Sequence, residues 1–175
     1  MTLLIASIAA WLSLAWPQAP ADFSGRWTMT PAPAATGPAA ASARGDMGSG
    51  WGATIVITQD ARQLVVETIQ YSTYDMQQQP RFVYALDGAQ SRNAVMMGRG
   101  MQEQSSRAVW DGATLAITTA HRLTDPASGA PLDLTVTQKL SLESRTTLIV
   151  EVTRSGVLGG RPSTTRTVYT QSTQG

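Results

Sequence analysis

The chain has 175 residues, with 13 Lys+Arg against 12 Asp+Glu, one histidine and no cysteine, for a formal net charge of +1. The missing cysteine excludes disulfides, zinc–thiolate sites, iron–sulfur clusters, thiol catalysis and a lipid anchor on Cys. The cations, all Arg except Lys139, are scattered rather than gathered into a stripe, which argues against nucleic acid as a partner, and a single histidine rules out a multi-histidine metal centre.

Residues 1–21 carry no charged side chain, and Leu3 to Ala15 is a mostly apolar run of thirteen. That length matches the apolar region of a secretion signal and falls short of the roughly 20 residues a membrane-spanning helix needs. Ala19-Pro20-Ala21 supplies the small residues read at a cleavage site, so 1–21 is expected to be a signal peptide and 22–175 one mature domain, periplasmic or secreted. No Lys or Arg precedes the apolar run, so the amino terminus alone carries its positive charge.

From Gly25 onward, Thr, Val and Ile alternate between turn residues. Strands are expected at Gly25–Thr30, Ala53–Gln59, Gln63–Tyr71, Arg81–Leu86, Ala89–Met97, Gln102–Trp110, Ala113–Leu123, Leu132–Leu142, Thr147–Arg154 and Ser163–Gln171. Asp87-Gly88 and Asp111-Gly112 are strong hairpin signals. The fold class is all-β: an antiparallel up-and-down meander of 8–10 strands, closed to hide its edges. Along 132–142 and 147–154 one face is apolar and the other Thr-rich and charged, the pattern of a barrel with an apolar interior rather than an apolar outer band.

Residues 31–52 form a long Ala/Pro/Gly-rich loop, read as a lid or tether with Met47 and Trp51 as its large apolar side chains. The stretch Gly48 to Gly52 lacks a following Gly-Lys-Ser/Thr and is not a phosphate loop. Glu67 and Arg107 fit either face of their strands.

Phe23-Ser24-Gly25-Arg26-Trp27, the long loop after it, the meander and an Arg near the last strand together resemble the lipocalin-like (calycin) barrels. Within these, the chain is most similar to small secreted bacterial barrels that open on a Phe-Ser-Gly-x-Trp strand. The resemblance implies that Gly25 and Trp27 mark the closed end. It also implies that Arg166, with Arg161 second, stacks on Trp27 as a cation–π contact. It implies an interior that binds a small apolar or amphipathic molecule. The usual helix before the last strand and the later loop motifs of true lipocalins are missing.

Phe82, Tyr84, Met96, His121 and Leu134 are the candidate ligand-binding residues. Phe82 and Tyr84 alternate on one strand, and Met96 stands on its hairpin partner. His121 shares parity with Leu115, Ile117, Thr119 and Leu123 and is expected to face inward. Its readings are a polar handle in an apolar pocket, an axial haem ligand, or a hydrogen-bonded structural histidine beside Arg122 and Asp125. A Ser–His triad would need an elbow motif that is missing, so no catalytic residue, metal or cofactor is assigned. Two non-enzymatic functions lead, with an enzyme using the barrel interior as the third alternative. One is ligand binding in a hollow barrel. The other is an interaction or structural module with a filled core, for instance an inhibitor acting through Asp22-Phe23.

Overall fold

The computed structural model describes residues 20–31, 49–69, 79–97, 100–124, 129–155 and 161–172. The expected leader lies outside these residues except for its last two positions. The described residues form ten strands: β1 (Gly25–Met29), β2 (Thr54–Gln59), β3 (Gln63–Thr68), β4 (Arg81–Ala85), β5 (Gln90–Met97), β6 (Gly100–Asp111), β7 (Thr114–Thr124), β8 (Pro131–Ser144), β9 (Thr147–Arg154) and β10 (Ser163–Gln171). They make one antiparallel sheet in the order β4-β3-β2-β1-β10-β9-β8-β7-β6-β5, a nearly closed up-and-down barrel. Among the described residues there is no helix, and so none long and apolar enough to cross a membrane.

The two ends differ. One carries short turns at 60–62, 86–89, 112–113 and 145–146, and the chain enters and leaves beside it. The other carries the connections 30–53, 69–80, 98–99, 125–130 and 155–162. The two Asp-Gly pairs turn at the short end, with Gly88 at φ 78° and Gly112 at φ 60°, left-handed angles that glycine adopts without a Cβ penalty.

Asp111-Gly112 joins a regular ladder, but Asp87-Gly88 does not. Strands β4 and β5 are consecutive, yet they stand at opposite ends of the strand order and share no backbone ladder. Side chains bridge the seam instead. The Val83 amide donates to Asn93 Oδ1 at 2.7 Å, Asn93 Nδ2 donates to the Val83 carbonyl at 3.1 Å, and the Ala85 amide donates to Ser91 Oγ at 2.8 Å. The chain's single Asn thus acts as a peptide group within the gap, meeting the rule that buried backbone polar groups find partners.

Inside, the short-turn end is apolar. Phe23, Trp27, Ile57, Leu64, Leu115, Leu140, Leu148 and Tyr169 are buried there. A polar belt follows toward the loop end. Thr68 stands two residues beyond Val66, Ser106 two before Ala108, Thr119 two beyond Ile117, Gln138 two before Leu140 and Thr167 two before Tyr169, all of them buried. The alternation read from the sequence holds along most of β8 and β9, where Leu140, Leu148, Val150 and Val152 are buried and Lys139, Glu151 and Thr153 are exposed, while Ile149 is buried despite its opposite parity. Glu67 and Arg107 belong to the outer surface. Glu67 pairs with Arg81 at 3.3 Å, and Arg107 Nη1 donates to the Gly88 carbonyl at 2.6 Å.

Candidate functional site

The closed end is built on the first strand. Gly25 has φ 146°, a backbone angle that other residues rarely adopt, and a Cβ there would come within 2.7 Å of Gln171 Nε2, so that flexible side chain would have to shift. Two residues on, Trp27 is buried, and its Nε1 donates to the Phe23 carbonyl at 2.9 Å. Phe23 is buried as well and stacks on Trp110 with centroids 5.8 Å apart at 7°. Gln59 holds the segment from both sides: Nε2 donates to the Ala21 carbonyl at 2.8 Å and Oε1 accepts from the Phe23 amide at 3.1 Å. Phe23 is therefore committed to the floor.

Gly25 and Trp27 lie at the short-turn end, whereas Arg166 lies on the outer face. It shares parity with exposed Thr164 and Thr170 on the outer face, while Thr167 and Tyr169 point in. Its Nη2 lies 3.1 Å from Glu143 Oε1, with both side chains about half exposed. Strand parity is the reason. A residue one position from an inward Thr167 cannot reach the barrel floor. Arg161 is exposed beyond the start of β10.

The interior above the floor is occupied by the chain itself. The last residues of the β1–β2 loop, Ser49 to Gly52, dip into the barrel, leaving Trp51 2 % exposed. Four strands hold them. Thr68 Oγ1 donates to the Trp51 carbonyl at 2.7 Å, and Gln138 Nε2 donates to the Ser49 carbonyl at 2.6 Å. Trp51 Nε1 donates to Tyr84 Oη at 3.4 Å, the rings standing 6.3 Å apart at 52°. A relay completes the set. The Trp51 amide donates to Ser49 Oγ, the Ser49 hydroxyl donates to Tyr169 Oη, and Tyr169 donates to the Gly52 carbonyl at 2.6 Å. The direction follows because a tyrosine has one proton and a carbonyl accepts only. Burial pushes both phenols up, Tyr84 far above the usual tyrosine range, with the bonds from Trp51 and Ser49 opposing it. Both are neutral donors and acceptors at physiological pH.

The five ligand candidates divide accordingly. Tyr84 is buried beneath Trp51, and half-buried Phe82 stacks on it at 6.5 Å and 4°. His121 and Leu134 are brought together as register partners on β7 and β8, both half-buried. Met96 pairs in register with Met101; its side chain lies outside the described residues. Met47 also lies outside them.

His121 stands two positions toward the loop end from the belt residue Thr119, on the same inward face. Its Nδ1 is buried and is the only buried side-chain polar atom without a hydrogen-bond partner among the described residues. Burial lowers its pKa, so the ring is neutral at physiological pH and offers a donor on one nitrogen and an acceptor on the other. The neighbouring charges face away, Arg122 pairing with Asp133 at 3.4 Å on the outer surface. Among the described residues no group of three His, Asp or Glu is placed to hold a metal ion.

Alternation found His121, Leu134 and Tyr84. It gave no sign that Gln138, Thr68 and Tyr169 would converge on Ser49–Gly52, because those contacts join segments 17 to 120 residues apart. No protein-family model matches the chain, and no curated protein matches it.

Proposed function

We propose that the chain is an exported, non-enzymatic barrel of lipocalin-like type that binds a small amphipathic molecule at its loop-end mouth. The observation that carries the proposal is the buried His121 Nδ1 without a partner, set beside Leu134 on the inner wall. An unmet polar atom among half-buried apolar side chains is the composition of a small-molecule site. It also costs free energy that a bonding ligand would recover. The filled layer around Trp51 limits such a ligand to the part of the barrel above it.

The single histidine makes the test simple, because one imidazole cross-peak in a carbon–proton spectrum reports on this site alone. Dodecanoate is expected to shift that peak saturably at micromolar concentration, and His121→Ala to weaken binding about tenfold, as losing one hydrogen bond in a dry site does. An unmoved peak at millimolar dodecanoate, together with no effect of His121→Ala, would discard the proposal.

A second reading has its own support. The packing of Trp51 fills the middle of the barrel, as an interaction module acting through its outer surface would require. Such a module would leave the His121 peak indifferent to small amphiphiles and would shift outer-face signals when its partner protein is added.

A further inference from the structure

The contacts made by Ser49–Gly52 are those of a bound molecule rather than of a strand. The segment belongs to no ladder, yet the carbonyls of Ser49, Trp51 and Gly52, the Ser49 hydroxyl and the Trp51 indole N–H are met by side chains. The groups meeting them, Thr68, Tyr84, Gln138 and Tyr169, come from β3, β4, β8 and β10, on different sides of the barrel. Removing the segment in thought leaves three donors aimed at carbonyl oxygens and one phenol oxygen aimed at an indole nitrogen. It also leaves a tilted tyrosine ring against which an aromatic ring fits. Ordinary core filling does not need this. An apolar side chain fills the same volume without exposing buried polar atoms to the risk of going unpaired.

We infer that the barrel interior is a receptor site for an indole that carries amide carbonyls, such as a tryptophan amide or the tryptophan of a peptide, and that Trp51 is its resident occupant. An external molecule of this class enters by exchanging with Ser49–Gly52. The inference rests on the binding-barrel reading above and goes beyond its mouth site, assigning a second, deeper site with its own ligand chemistry. The tethered occupant competes at the high effective concentration of an intramolecular group, so affinity for an outside ligand is reduced by the fraction of time the plug is out.

The test uses N-acetyl-tryptophanamide with nitrogen-15-labelled protein, in which each indole N–H gives one signal. In the wild type, the Trp51 signal, assigned by Trp51→Phe, is expected to move to a solvent-exposed position as the unlabelled amide is added, while Trp27 stays in place. In Trp51→Ala the amide is expected to bind at least about tenfold tighter, with the competitor removed. Adding Gln138→Leu to that variant should reverse most of the gain. Trp51→Leu, which keeps an apolar filler, serves as the parent if the alanine variant does not fold.

The inference is overturned if the wild-type Trp51 signal is unmoved at saturating amide. It is equally overturned if the plug variants bind N-acetyl-leucinamide as well as the tryptophan amide. A shift at His121 with Trp51 in place overturns it while leaving the mouth site standing. Silence at both residues, toward the amide and toward dodecanoate, removes the binding reading as well.

Discussion

The seam between β4 and β5 provides a quantitative test of how this barrel closes. Asn93 makes two hydrogen bonds to Val83, at 2.7 and 3.1 Å, in place of a missing strand ladder. Each such bond contributes about 0.5–1.5 kcal/mol net, and a buried group left unpaired costs about 1–3 kcal/mol. Val83 is half-buried, so water reaches it in part and the higher figure is not expected. Asn93→Ala should therefore destabilise the barrel by about 2 kcal/mol, a sizeable share of the roughly 5–15 kcal/mol that holds a domain folded. Asn93→Asp keeps the acceptor for the Val83 amide and loses the donor to its carbonyl, so it should cost less. Urea unfolding followed by tryptophan fluorescence gives the stability difference, and hydrogen exchange gives the local one. The Val83 amide should be protected in the wild type and exchange faster in Asn93→Ala. A stability change below about 0.5 kcal/mol with undiminished protection at Val83 would refute the reasoning, since it would mean that Asn93 carries no closure.

Other expectations follow from the same contacts. Trp51→Ala removes a fully packed indole and should cost about 3–5 kcal/mol in denaturant unfolding; a cost under 1 would mean that the segment is not part of the core. Gly25→Ala should destabilise by about 1–3 kcal/mol, and Gln171→Ala in the same chain should recover only the steric part, because the φ of 146° remains. Arg166→Ala should change stability by no more than about 1 kcal/mol, the range of an exposed ion pair, whereas a cation–π role at the floor would give a larger loss. In alkaline unfolding, Tyr84 and Tyr169 have folded pKa values above the ordinary 10, so their contribution is full below pH 10 and is lost as the pH rises beyond it. Tyr84→Phe should flatten that limb. On the acid side, the lowered pKa of His121 means that the unfolded chain takes up its proton first, so stability falls as the pH drops below the ordinary 6.5, and His121→Gln should remove that slope.

Much of the barrel was legible in the sequence because alternation and turn chemistry act locally. The strand expected at Ser163–Gln171 has those bounds in the structure, and the two strands beside the Asp111-Gly112 turn were placed within two residues at each end. His121 was placed inward by parity alone. The exceptions each have a physical cause. Asp87-Gly88 encodes a turn, but a turn does not oblige its flanking strands to pair, and Ser91 and Asn93 hold β4 one side chain away. The expectation that Arg166 meets Trp27 came from resemblance, and parity overrules it. The plug was not legible because a Gly/Ala/Pro-rich loop carries no periodic signal, and Gln138, in an otherwise apolar face, reads as an interruption until its partner Ser49 is known.

The most direct test of a binding barrel is native mass spectrometry on the chain expressed from its full sequence, purified without detergent, then incubated with a lipid extract and with N-acetyl-tryptophanamide. Expected is a one-to-one small-molecule adduct lost on denaturation, with the lipid adduct diminished in His121→Ala and the tryptophan-amide adduct unchanged by it. The bare chain mass under every condition would contradict it and leave the filled interaction module as the reading to pursue.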